Sequence, residues 1–303
     1  MALTIDESQI AIARPSASNW ASSAFAGAGD IFEALHGGLT VNLVSTPRHE
    51  LKTCTKTELV SEVLNSSPDD FDFIPVLDDS HDDPRFLGLL HAADIRRKGI
   101  ATGSVSSFYL PLAEENLIGA DASILDFVVQ ADRRPCRLVV SGSRIVGLVT
   151  LSDLQRLPVR AALFALVTGF EMTMADLIKA KLPDESGWMA LLKPTRLDRI
   201  RREISTAQAK DAFVDPLLFT HFSDKTEIVK HLNPTGMKIP ALEQQLKDFK
   251  NLRNSLAHAN EYAASPDQAK HVCNLVRGLL KMRREIREEL NGSSPGTRHS
   301  VAT

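Results

Sequence analysis

The sequence has few cysteines, no basic leader and no charge-free hydrophobic stretch, and each absence removes a class of protein. Cys54, Cys136 and Cys273 are odd in number, widely spaced and without a C-x-x-C pair, which excludes a disulfide framework and a structural zinc site and implies a reducing compartment. The first residues, MALTIDESQIAIARPS, lack the basic and apolar regions of a secretory signal, and no continuous run of about 18 apolar residues follows. The expectation is a cytoplasmic protein without a membrane segment. Carboxylates and histidines do not cluster at metal-ligand spacing: the run Asp78-Asp79-Ser80-His81-Asp82-Asp83 reads as a solvated turn, and His221, His231 and His271 lack partners.

What is present suits a globular protein of more than one domain, with 303 residues, 43% hydrophobic and 24% charged. The net charge of −3 conceals an asymmetry. Residues 1–158 carry 13 Lys and Arg against 21 Asp and Glu, and residues 159–303 carry 22 against 17. A basic C-terminal half permits a polyanion partner without requiring one.

The chain contains an internal repeat. Its first copy reads Ile74-Pro75-Val76-Leu77, an acidic turn, then Phe86-Leu87-Gly88-Leu89-Leu90-His91-Ala92-Ala93-Asp94. The second reads Arg137-Leu138-Val139-Val140, the turn Ser141-Gly142-Ser143, then Ile145-Val146-Gly147-Leu148-Val149-Thr150-Leu151-Ser152-Asp153. Each predicts strand, turn, strand and helix start, and amphipathic helices are expected upstream at 57–65 and 122–130. From Pro158 the period becomes helical, with Val159, Leu163, Leu166, Val167, Phe170, Met174, Leu177 and Ile178 on one stripe. Asp224 with Glu227 predicts a capping box for a helix at 225–232, Pro240 opens a helix carrying Leu242, Leu246 and Phe249, and Ser265-Pro266-Asp267 opens the last.

The repeat resembles a tandem pair of CBS domains, on the pattern Gly-apolar-apolar-Thr-x-x-Asp met in full at Gly147, Thr150 and Asp153. The resemblance implies a regulatory adenine nucleotide (AMP, ADP or ATP) or S-adenosylmethionine, held through Thr150 and Asp153 and, in the first copy, through Asp94 and His91, where His replaces the usual Thr. An ionised Asp can accept from both ribose hydroxyls, a Thr hydroxyl can reach sugar or phosphate, and Arg96, Arg97, Lys98, Arg156 and Arg160 can meet phosphates. The plainer role for Asp94 and Asp153 is to favour a helix start.

The segment Leu252-Arg253-Asn254-Ser255-Leu256-Ala257-His258 resembles the signature of the HEPN family, in which an Arg, a polar residue and a His form the active site of metal-independent ribonucleases. That resemblance implies catalytic Arg253, Asn254 and His258, products ending in a 2′,3′-cyclic phosphate and a 5′-hydroxyl, no catalytic metal, and a homodimer. Glu171 is a candidate to orient Arg253. On a regular helix Asn254 and His258 share a face while Arg253 points about 140° from His258, so either the backbone bends or Arg253 serves a site shared with a second subunit; the second is preferred. The plainer roles are a helix-end histidine bonded to a carbonyl, a surface ion pair for Arg253, and a solvent-facing Glu171.

The expected fold class is α+β multidomain, a CBS-domain pair (α/β) followed by an all-α HEPN helical bundle. Its divisions are an N-terminal arm and helix at 1–42, a CBS pair at 43–157 (copies at 43–98 and 115–157), a HEPN-like helical domain at 158–290, and a disordered tail at 291–303. The implied activity is an endoribonuclease, a toxin or defence effector, with RNA as substrate, dimerising through both parts and paired with an antitoxin or nucleotidyltransferase. The alternative is a non-catalytic nucleotide sensor whose helical domain dimerises or docks a partner.

Overall fold

A computed structural model describes residues 37–67, 71–78, 80, 84–100, 102–210, 215–258 and 260–292. Most of the expected N-terminal arm and helix at 1–42, up to residue 36, most of the acidic turn and the tail beyond Gly292 lie outside the described residues. In chain order the elements are β1 (Thr46–Pro47), β2 (Cys54–Thr55), α1 (Val60–Asn65), β3 (Phe73–Asp78), β4 (Arg85–His91), α2 (Ala92–Lys98), β5 (Leu110–Pro111), β6 (Leu117–Gly119), α3 (Ile124–Val128), β7 (Cys136–Ser141) and β8 (Arg144–Thr150). Six helices follow: α4 (Leu157–Lys181), α5 (Glu185–Met189), α6 (Pro194–Gln208), α7 (Phe222–Leu232), α8 (Ile239–Ala257) and α9 (Pro266–Gly292). The change from strands to helices comes at Leu157, as the hydrophobic period indicates. The compact units part later: one holds the described residues up to Thr168 with Gln244–Met282, the other Gly169–Glu243 with the residues from Arg283 on.

In the first unit the repeat forms two four-stranded sheets, ordered β2-β3-β4-β5 and β1-β8-β7-β6. Each central hairpin is antiparallel with a bulge at the matching place, between Val76 and Leu77 and between Val139 and Val140. Each has a short parallel strand on one side, β2 or β6. Its other edge is completed across the repeat, since β1, ahead of the first hairpin, pairs with β8, and β5, ahead of the second hairpin, pairs with β4. Gly88 lies opposite Pro111 and Gly147 opposite Pro47. A Cβ on Gly88 would stand 2.0 Å from the Leu110 carbonyl oxygen, and one on Gly147 would stand 2.6 Å from that of Thr46. The repeated glycines therefore serve backbone approach. Leu89 joins Cys136, Leu138 and Leu148 in one buried cluster, so the two copies share a core. The expected helices are shorter than their hydrophobic stretches: α1 begins at Val60 because Leu59 is extended and bridged to Ser104, and α3 begins after Ser123, whose hydroxyl accepts the Leu125 N–H.

The same unit packs part of α9 on the second copy. Arg277 Nη1 and Nη2 donate to Asp132 Oδ1 and Oδ2 at 2.8 and 2.7 Å, and Nη1 also reaches the Val129 carbonyl at 2.6 Å. A two-pronged guanidinium–carboxylate contact fixes orientation as well as charge.

In the second unit, α7 is capped by a reciprocal box between His221 and Asp224, with the Asp224 carboxylate accepting the His221 N–H at 2.8 Å. This corrects the expected pairing of Asp224 with Glu227. Asp224 also takes Arg196 Nε at 2.9 Å, while Glu227 pairs with Lys230. No strand occurs between Leu157 and Gly292 among the described residues. There, α4 alone is long and apolar enough to cross a membrane by length and composition, with a mean hydropathy of 1.5 over 18 residues. Its Val159, Leu163, Leu166, Phe170, Met174 and Leu177 are buried, and Arg160 and Glu171 interrupt the apolar run.

Two outcomes are expected. Gly88→Ala should cost about 1–3 kcal/mol in urea unfolding, the scale of an overpacked site, because the obstacle is backbone. The carboxyl of Asp132 is held below the usual range first by the Arg277 hydrogen bonds, with their charge adding to the effect against a smaller desolvation penalty. A depressed folded pKa contributes stability that is present above about pH 4, the unfolded value, and lost as the pH falls through the folded value. Asp132→Asn should therefore lower stability at pH 7 and flatten the acid limb of a stability–pH profile.

Candidate functional site: a cleft in the second repeat and the Arg253–His258 segment

Strand β8 ends at Thr150, and the chain turns into a single 3-10 helix, Leu151–Gln155. Asp153 closes this turn. Its Oδ2 accepts the Thr150 N–H at 2.6 Å and the Thr150 hydroxyl at 3.1 Å, and its Oδ1 meets Arg156 Nε at 2.6 Å. The plainer role expected of Asp153, a cap, is the one its bonds display. Burial pushes its carboxyl above the ordinary range, opposed by the Thr150 N–H and by Arg156.

Beside this turn lies a cavity of about 270 Å³. Phe71, Phe73, Pro135 and Leu148 give it apolar surface, Thr150 and Ser152 give it hydroxyls, Glu50, Asp72 and Asp153 give it carboxylates, and Lys52 and Arg156 give it cations. Arg156 Nη2 also donates to Thr46 Oγ1 at 3.0 Å, which links the cavity wall to β1. Lys52 pairs with no carboxylate among the described residues.

The first copy is arranged differently. His91 stacks on Phe73 with ring centroids 4.4 Å apart. Asp94 pairs with Arg97 and, at 3.2 Å, with Lys98, and Lys98 foremost holds its carboxyl below the usual range. Arg96 donates to the Phe71 carbonyl. The cations expected to meet phosphate there are engaged locally.

In the same compact unit, α8 carries the Arg253–His258 segment. Leu252 and Leu256 are buried and anchor it, Arg253 and Asn254 are half-buried, and His258 is exposed in the turn after Ala257. The His258 N–H donates to the Asn254 carbonyl at 3.0 Å, which keeps the two on one helical face as expected. Arg253 Nη1 lies 3.5 Å from Asn254 Oδ1. The His258 imidazole has no hydrogen-bond partner among the described residues, so neither the expected carbonyl bond nor a contact with Arg253 is made.

Glu171 belongs to the other unit. It accepts from Lys225 Nζ at 3.0 Å, and Lys225, only 7% exposed, also donates to the Thr220 carbonyl at 2.8 Å. Its expected role beside Arg253 gives way to neutralising a buried ammonium.

Sequence reasoning missed the junction between cleft and motif. Arg160 donates to the carbonyls of Ser255 (3.1 Å), Leu256 (3.2 Å) and Asn260 (2.8 Å), with its guanidinium over the Tyr262 ring. Tyr262 Oη donates to the Leu154 carbonyl, and Gln155 Nε2 to that of Ala263. No local periodicity signals bonds between residues about 100 positions apart. No group of three or more His, Cys, Asp or Glu able to hold a metal occurs among the described residues.

No family model matches this chain, and no curated protein matches it. Parts of it are similar to solved CBS-domain structures. One is the CBS domain of the bacterial CNNM/CorC family Mg²⁺ transporter in complex with ATP, at 19% identity over 41% of this chain and 90% of that one, with a TM-score of 0.34. Another is CBSX2 in complex with AMP, at 19% identity over 41% and 96%, TM-score 0.32. A third is a hemolysin-like protein containing a CBS domain from Oenococcus oeni PSU, at 16% identity over 43% and 94%, TM-score 0.33.

The geometry separates Glu171 from His258 in a stability measurement. Glu171→Ala leaves a buried Lys225 short of its carboxylate and should cost about 1–3 kcal/mol. His258→Ala, at an exposed turn, should stay within about 0.5 kcal/mol of the parent.

Proposed function

We propose that this protein is an adenine-nucleotide sensor in which the cleft at Thr150 and Asp153 governs a metal-independent endoribonuclease site made of Arg253, Asn254 and His258. The observation that carries the sensing half is the cavity. It sets aromatic and aliphatic surface suited to a base beside hydroxyls and a carboxylate suited to a ribose, with Lys52 and Arg156 placed for a phosphate. Its volume of about 270 Å³ lies just under the roughly 300–1,000 Å³ of ligand pockets, which suits a small ligand. Bound there, the ribose hydroxyls would donate to Asp153 lone pairs left over from its cap, and Arg156 would exchange Thr46 for a phosphate oxygen.

The chemistry assigned to the motif is transphosphorylation. A 2′-hydroxyl attacks the adjacent phosphorus, His258 moves the proton, Arg253 meets the charge that builds on the phosphoryl oxygens, and the 5′-oxygen leaves as a hydroxyl. An imidazole without a hydrogen-bond partner among the described residues suits that task. Two chains facing each other across a shared cleft would bring Arg253 of one near His258 of the other, so a homodimer belongs to this reading. Products carry a 2′,3′-cyclic phosphate and a 5′-hydroxyl, and cleavage persists in EDTA.

Calorimetry with AMP, ATP and S-adenosylmethionine tests the sensor. Binding should weaken at least about tenfold in Lys52→Ala and Asp153→Ala, a loss of about 1.4 kcal/mol. Incubation with total RNA and EDTA, with and without nucleotide, tests the enzyme. His258→Ala should cut about 10²–10⁴-fold more slowly. Unchanged binding in both cavity variants would remove the ligand assignment. Equal cleavage by His258→Ala, or none by the parent under any ligand, would leave a sensor without catalysis.

A further inference from the structure

Resting on that reading, we propose that Arg160 is the positioning residue of the Arg253–His258 segment, coupling the backbone around His258 to the Thr150–Arg156 turn that lines the cleft. The carbonyls it binds lie on both sides of His258 in sequence, Ser255 and Leu256 before it and Asn260 after it. The first two belong to the last turn of α8, where the helix dipole favours a cation; the Ser255 carbonyl also accepts the Asn260 N–H at 3.0 Å, and Arg160 adds to that closure. One planar guanidinium reaches all three, which a lysine ammonium on its single point of charge cannot reproduce.

Arg160 is also the residue through which the cleft is felt. Its own N–H bonds the Arg156 carbonyl at 3.2 Å, one helical turn back, and Arg156 is the cation that touches both Asp153 and the cavity. Leu154 and Gln155, between them, are bonded to Tyr262 and Ala263. Tyr262 closes the circuit by lying under the Arg160 guanidinium, 4.9 Å from its carbon. Arg160 pairs with no carboxylate among the described residues, so its donors serve the shape of the 255–263 segment. A ligand that draws Arg156 toward a phosphate must either strain this set of bonds or tighten it. Because the ligand-bound and ligand-free states place different demands on these bonds, weakening the clasp changes ligand affinity, and couplings between sites typically amount to about 5–150-fold.

The full-length protein is used, with the His258 imidazole followed by heteronuclear NMR across pH and AMP affinity followed by calorimetry. In ligand-free protein, Arg160→Lys should shift the His258 resonance and its titration midpoint. AMP should shift both in the parent and less in Arg160→Lys, and the variant should change AMP affinity by at least about fivefold. Tyr262→Phe, which keeps the ring and loses the bond to Leu154, should reproduce the affinity change with native near-UV circular dichroism. A His258 signal identical in parent and Arg160→Lys overturns the positioning role. AMP binding that leaves His258 unmoved, or moves it equally in both proteins, overturns the coupling. Failure of AMP to bind the parent overturns the ligand reading and the coupling with it, and the ligand-free comparison still decides whether Arg160 positions His258.

Discussion

The approach of the Thr46 carbonyl to Gly147 is the contact on which the arrangement of the cleft depends. It holds a two-residue strand ahead of the first hairpin against the last strand of the second. Thr46 also lines the cavity and accepts from Arg156, and Arg156 pairs with Asp153. A Cβ at Gly147 would therefore act beyond the sheet, displacing in turn the wall, the cation and the cap. The same physical requirement at Gly88 has no such chain behind it, because its partner strand is β5 and the neighbouring Asp94 is held by Arg97 and Lys98. Two copies with matching sheets thus reach different electrostatic endings.

Asp153 bears two demands that pull in opposite directions. Desolvation disfavours its charge, while an amide, a hydroxyl and a guanidinium favour it. A carboxylate satisfied only by its own turn would be inert toward a ligand. One satisfied partly by Arg156, whose side chain is 43% exposed, has a partner able to move. The cap closes the turn, and Arg156 bridges it to Thr46 while its side chain remains partly exposed.

The hairpins of the repeat were legible because their signal is local: apolar runs of four to seven residues on either side of a turn, with a glycine at a fixed place. The helices from Leu157 were legible from their stripe, and the caps at Pro240 and Pro266 from single residues. The edge strands β1, β2, β5 and β6 were not, since two or three residues carry no period and their pairing is set by distant chain. The capping box of α7 was misassigned because Asp224 lies three residues before Glu227 as well as three after His221, and a sequence holds both spacings equally. Glu171 was read toward Arg253, yet it answers a buried Lys225 that helical spacing alone places nowhere. Leu252 and Leu256 were correctly read as anchors, and what holds the far end of their helix was invisible.

That far end explains why the segment needs a distant arginine at all. Helices commonly close with a left-handed glycine or asparagine whose N–H groups satisfy the last carbonyls. From the last residue of α8 the chain reads Ala257-His258-Ala259-Asn260-Glu261-Tyr262-Ala263, without glycine; the Asn260 N–H returns to the Ser255 carbonyl at 3.0 Å, and Arg160, about 95 positions earlier, adds donors to the Ser255 and Leu256 carbonyls. The donors from the first turn of α4, directly after the cleft, tie the end of α8 to that turn. Among the described residues the His258 imidazole makes no hydrogen bond, while the backbone before and after it is held by Arg160.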